Sequence, residues 1–79
     1  MNLRKMQYFV DAVELENFSM VAKKNYISQT AISQQIMAIE NEVGTQLFER
    51  LNTGVKVNAQ GKLLFFFFFR PPQKKKKKK

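Results

Sequence analysis

The chain holds no cysteine and no histidine among its 79 residues. Without cysteine there is no disulfide and no thiolate metal site. Without histidine, a zinc site or a histidine-based catalytic triad has almost nothing to build on. There are only three glycines, and they form no Gly-rich phosphate loop. These absences weigh against an enzyme, and no cofactor or metal is expected. Long apolar runs are missing too. Residues 63–69 are seven apolar residues, where a bilayer span needs ~20. Met1-Asn2-Leu3-Arg4-Lys5 leads into an amphipathic pattern and not into a signal peptide. The expected compartment is therefore the cytoplasm. A chain of this length makes one small domain with a modest core.

Acidic residues are scarce as well, six against fourteen basic ones, for a net charge of +8. The location of that charge matters more than its size. Arg70 and the six lysines of residues 74–79 supply seven of the basic residues and none of the acids. Residues 1–69 are left at +1, so the body of the protein is nearly neutral. Basicity by itself is therefore weak evidence for a nucleic-acid partner.

Hydrophobic periodicity divides the body into elements. Leu3, Met6, Phe9, Val10 and Val13 recur at three- and four-residue steps, with Arg4, Lys5, Asp11 and Glu14 off the stripe. This predicts a helix over residues 3–15. Asn17 is suited to cap a second, short helix over residues 18–25, with Phe18, Val21 and Ala22 inward. Tyr26-Ile27 forms a turn, and Ser28 caps a third helix. Ile32, Ile36, Ile39 and Val43 give that helix a buried stripe, and Gly44 ends it. Residues 47–51 and 55–57 flank Asn52-Thr53-Gly54 and read as a β-hairpin. Asn58 followed by Ala59-Gln60-Gly61 opens another helix. The fold class is mostly α: a three-helix core containing a helix-turn-helix, with a β-hairpin and the start of a fourth helix.

Residues 18–36 carry the chemistry. Two helices meet at a tight turn, and the second shows a polar face of Gln29, Thr30, Ser33 and Gln34. That is the geometry of a helix-turn-helix that reads double-stranded DNA. Gln29 and Gln34 each offer donor and acceptor, suited to adenine N6 and N7. Ser33 is short enough to reach a base or a phosphate, and Thr30 can set its methyl against a thymine methyl. Ser28 and the helix N-terminus suit a phosphate. Arg50, Asn52, Thr53 and Lys56 would form a wing along the DNA backbone, and Lys23 and Lys24 would sit over phosphates. Each has a plainer alternative. A polar helix face is usually solvated surface, the lysines are equally at home in water, and Arg50 has Glu40 or Glu49 as a structural partner.

Residues 1–64 resemble the N-terminal winged helix-turn-helix of LysR-type transcriptional regulators. The resemblance rests on Leu3-Arg4-Lys5-Met6-Gln7-Tyr8-Phe9-Val10, then Phe18-Ser19 with Ala22, then the run Ile27-Ser28-Gln29-Thr30-Ala31-Ile32-Ser33-Gln34-Gln35-Ile36. Glu40, Glu42-Val43-Gly44, Leu47-Phe48-Glu49-Arg50 and Asn58-Ala59-Gln60-Gly61 follow in order. It implies that residues 29, 30, 33 and 34 face the bases. It also implies that Asn58 opens a linker helix pairing two subunits, ahead of a ligand-binding domain, in a dimer or tetramer. Thr30 stands where the family usually has proline, and Asn25 where it usually has an apolar residue.

The chain departs from that pattern after residue 64. Five phenylalanines, Arg70-Pro71-Pro72-Gln73 and six lysines follow. They read as a low-complexity tail over residues 65–79, disordered or the product of a shifted reading frame. In this reading the linker helix and the ligand-binding domain are replaced, and no small-molecule ligand is expected. Two other readings compete. One is an inert truncated product, deprived of the ~10²–10⁴ gain of two linked half-sites. The other is a cationic peptide binding a membrane surface through its tail, although no amphipathic helical pattern supports it.

Overall fold

Capping side chains set where the elements begin in the computed structural model, which describes residues 2–68. Helix α1 spans Leu3–Leu15, with the Asn2 carboxamide oxygen accepting from Lys5 N at 2.9 Å. Helix α2 spans Phe18–Asn25, capped by Asn17, whose side chain accepts from Met20 N. Helix α3 spans Gln29–Val43, capped by Ser28, whose hydroxyl accepts from Ala31 N at 3.0 Å. These bonds satisfy amides that the first turn leaves open. Left-handed residues end all three helices: Glu16 at φ 51, Tyr26 at φ 59 and Gly44 at φ 84.

Strands β1 (Phe48–Leu51) and β2 (Gly54–Val57) form an antiparallel hairpin, with Phe48 opposite Val57 and Leu51 opposite Gly54. Gly54 lies at φ 146, and a Cβ there would come within 3.2 Å of the Glu16 carbonyl oxygen. The positive φ favours glycine at this position, and a side chain would also crowd that oxygen. Helix α4 spans Ala59–Phe68 and crosses the hairpin closely. At Gly61 a Cβ would stand 2.5 Å from Leu47 O and from Val57 Cγ2. Asn58 caps α4 by accepting from Gly61 N, and it donates to Gln46 O.

The core gathers Tyr8, Phe9 and Ala12 of α1, Phe18, Val21 and Ala22 of α2, and Ile32, Ile36 and Ile39 of α3, closed by Leu47, Phe48, Val55 and Val57. Phe48 anchors the hairpin, meeting the rings of Phe9 and Phe18 edge to face with centroids 5.9 Å apart in each case. Burying one such side chain contributes roughly 1.5–3 kcal/mol.

Four expectations need correction. The buried face of α1 is turned from the predicted stripe: Leu3 is exposed, while Asp11, placed off the stripe, is 1% exposed. The reason is that α1 packs on α2 and α3 through Tyr8, Phe9 and Ala12. Val43 is exposed, because the last turn of α3 runs past the core and borders α4. Gly54 belongs to β2, so the turn narrows to Asn52-Thr53. The polyphenylalanine run does not end the ordered body at residue 64, since α4 continues to Phe68. That run contains no helix breaker, and Leu64 and Phe65 pack against the core. The expectation of disorder for residues 69–79 falls outside the described residues.

Candidate nucleic-acid interface

The polar face of α3 follows from its cap. Ser28 fixes the first turn, so Gln29 and Ser33, one turn apart, share a row, and Thr30 and Gln34 form the next. Gln29, Thr30 and Gln34 are exposed and Ser33 is half-buried. On the opposite side Ile32, Ile36 and Ile39 are fully buried. A helix anchored by isoleucines thus presents short polar side chains to solvent in a fixed order.

Gln29 and Ser33 open onto a cleft of about 440 Å3 whose far wall is the hairpin: Arg50, Asn52 and Thr53. Its floor is the start of α2, Asn17, Phe18 and Ser19. The fold therefore unites Gln29, Ser33, Arg50, Asn52 and Thr53, which lie in two separate sequence segments. Thr30 and Gln34 stand outside the cleft on the exposed face. Asn17 and Ser19 also line the cleft and were not among the residues expected at the site. Asn17 was legible as a cap and Ser19 lay in the matched stretch, but only the packing of α2 between α3 and the hairpin brings them here.

Arg50 is held by two neighbours. Its guanidinium carbon lies 5.2 Å from the centre of the Phe18 ring, and Nη2 lies 3.9 Å from Glu40 Oε1. Of the two acidic partners open to it in the sequence, Glu40 is the one engaged. Glu40 also ties the hairpin to α3, its Oε2 accepting from Leu47 N at 2.8 Å and Phe48 N at 3.2 Å. From the other side, Glu16 accepts from Val57 N through its carboxylate at 3.3 Å and from Val55 N through its carbonyl at 3.5 Å. Two glutamates thus set the hairpin against the helices.

The remaining cations divide. Lys23 is exposed, and Lys56 is exposed opposite Glu49 across the hairpin. Lys24 is engaged elsewhere: Nζ donates to Asp11 Oδ1 at 2.8 Å. The bond to Asp11, and then its charge, raise the Lys24 pKa above the ordinary lysine value. Among the described residues no group of histidine, cysteine, aspartate and glutamate could hold a metal ion.

Two helices joined by a tight turn, an exposed polar face on the second, and a hairpin across a shared cleft define a winged helix-turn-helix of the DNA-binding class. Residues 3–62 match the family described as "Bacterial regulatory helix-turn-helix protein, lysR family". The chain belongs to the LysR family. It is 40% identical over 63 residues to the HTH-type transcriptional regulator TfdT of Cupriavidus pinatubonensis, covering 80% of this chain and 28% of TfdT. It is 43% identical over 65 residues to the HTH-type transcriptional regulator BudR of Klebsiella aerogenes, covering 82% of this chain and 46% of that protein. The chain thus spans less than half the length of either relative. In fold it is similar to the crystal structure of a CbnR_DBD–DNA complex, with a TM-score of 0.82 and 31% identity, covering 89% of this chain and 80% of that one.

Proposed function

We propose that this chain is the sequence-specific DNA-binding part of a bacterial transcriptional regulator and works without catalysis. The observation that carries the reading is the shared cleft, where Gln29 and Ser33 of α3 face Arg50, Asn52 and Thr53 of the hairpin. In this reading α3 enters the major groove. Gln29, Thr30, Ser33 and Gln34 meet base edges, with the glutamines suited to adenine. Ser28, Arg50, Asn52 and Thr53 meet the sugar-phosphate backbone, with Lys23 and Lys56 at its margins. Membership of the LysR family and the likeness to a DNA-bound domain support it. Among the described residues no helix is long and apolar enough to cross a membrane. The cytoplasm, where the bacterial chromosome lies, is the compartment that fits this work.

Binding as a pair follows from the same reading. Two domains linked on one duplex gain ~10²–10⁴ in affinity over one. Leu63, Phe66 and Phe67 stand exposed on α4 and would supply the surface on which two copies meet.

The test is selection by the purified chain from a random-sequence duplex pool. The expected result is enrichment of one family of sites. Gln34→Ala should weaken binding to the enriched site by ~1–3 kcal/mol and leave binding to scrambled duplex nearly unchanged. An unaltered preference in Gln34→Ala would show that the base-reading face is misassigned.

A further inference from the structure

Asp11 is the one charged residue buried in the described core, at 1% exposed. It lies on α1, away from the cleft that faces DNA in the proposed reading. A buried carboxylate is costly unless paired and hydrogen-bonded. Here three donors converge. Gln7 Nε2 donates to Oδ1 at 3.0 Å, Lys24 Nζ to Oδ1 at 2.8 Å and Asn25 Nδ2 to Oδ2 at 3.0 Å. Burial pushes the Asp11 pKa up, but the bonds from Lys24, Asn25 and Gln7 and the charge of Lys24 outweigh it and hold it below the ordinary value.

Two of those donors close the last turn of α2. Asn25 also donates to Val21 O at 2.8 Å, so its amide nitrogen bonds both to the α1 carboxylate and to the backbone of its own helix. Tyr26 turns the chain in the left-handed region, Ile27 N bonds back to Ala22 O, and Ser28 opens α3. Only two residues separate Asn25 from that cap. Whatever fixes Asn25 fixes where α3 starts. Lys24 is drawn the same way: its ammonium donates to the buried Asp11 carboxylate at 2.8 Å, so a phosphate would have to compete with that carboxylate for it.

We propose that Asp11 is a positioning residue for α3, acting through Asn25 and Lys24, and that Lys24 is its counter-ion and not a phosphate contact. The inference rests on the DNA-binding reading above. Asn25 thereby gains a reason to be polar at the end of α2. It supplies the donor that a carboxylate on α1 requires.

The test titrates the full chain onto two labelled duplexes, one enriched from a random pool by the unmodified chain and one scrambled, across a range of salt. A phosphate contact contributes ~0.9 to the slope of log affinity against log salt. Lys24→Met is expected to leave that slope unchanged, and a slope shallower by about one overturns the counter-ion assignment. Asp11→Asn, checked as folded by circular dichroism, is expected to reduce the preference for the enriched duplex at least about fivefold, the low end for one base contact. An unchanged preference in that variant overturns the positioning role. Should Asp11→Asn fail to fold, Asn25→Ala keeps the ion pair, removes the second link, and carries the same two outcomes. An unmodified chain that prefers no duplex over any other overturns the DNA-binding reading itself, and the inference with it.

Discussion

The joint between α1 and α2 and the joint between α3 and the hairpin are each closed by a carboxylate, but their donors differ. At the first, Asp11 accepts from three side chains, those of Gln7, Lys24 and Asn25. At the second, Glu40 accepts from two backbone amides, those of Leu47 and Phe48. Side-chain donors can be replaced one at a time, so the first joint can be exchanged whole for an apolar one. Backbone amides stay whatever the sequence does, so the second joint depends on the acceptor alone. A buried amide without a partner also costs more than a hydrogen bond gains. The hairpin joint should therefore be the less forgiving of the two.

Glu40→Ala is the sharpest way to break that contrast. It strands the amides of two buried residues, at about 1–3 kcal/mol each, and it also releases Arg50. The expected loss is about 2–6 kcal/mol, read as a fall in midpoint in urea or thermal unfolding. Asn25→Leu comes next. It removes one donor from a buried carboxylate and should cost about 1–3 kcal/mol. Adding Asp11→Ala to it should recover at least half of that loss, because an apolar replacement of a buried polar set is often neutral or better. A double variant less stable than Asn25→Leu alone would show that the two joints behave alike.

Acid gives a third measure. The Asp11 pKa lies below its ordinary value when folded, and the unfolded chain keeps the ordinary one near ~3.9. Its contribution to stability is therefore fully present above that pH. It is lost as pH falls toward and through the folded value, where the unfolded state binds the proton more readily. Asp11→Asn should flatten the acid limb of stability against pH, whereas Lys56→Ala should leave its shape intact. The smallest effect is expected at Lys56 itself. It is exposed opposite Glu49, and its removal should change stability by less than about 0.5 kcal/mol.

Element boundaries were legible because short polar side chains announce them. Asn17, Ser28 and Asn58 cap helices and Gly44 ends one, as their positions predicted. The row Ile32, Ile36, Ile39 was legible for the same local reason, a repeat matching the helix turn. Asp11 was not. Periodicity sorts residues by polarity, so it places any carboxylate on the wet face unless a partner is known. Two of its three partners, Lys24 and Asn25, lie 13 and 14 residues away, on another helix. Lys24 was expected over a phosphate, and its ion pair was not legible, because the carboxylate lies 13 residues away on another helix. Val43 and Leu3 fit helical stripes but lie where neighbouring elements stop covering them.

The amino-acid sequence by itself determined the helices, the hairpin and the order of polar side chains along α3. Those depend on interactions within a few residues: caps, turns and the helical repeat. Only the tertiary structure decided which charges are spent inside and which face the cleft. It placed Arg50 over Phe18 beside Glu40, turned Lys24 toward Asp11, and brought Asn52 and Thr53 opposite Gln29 and Ser33. Such pairings depend on the distance between side chains far apart along the chain, and packing alone sets that distance.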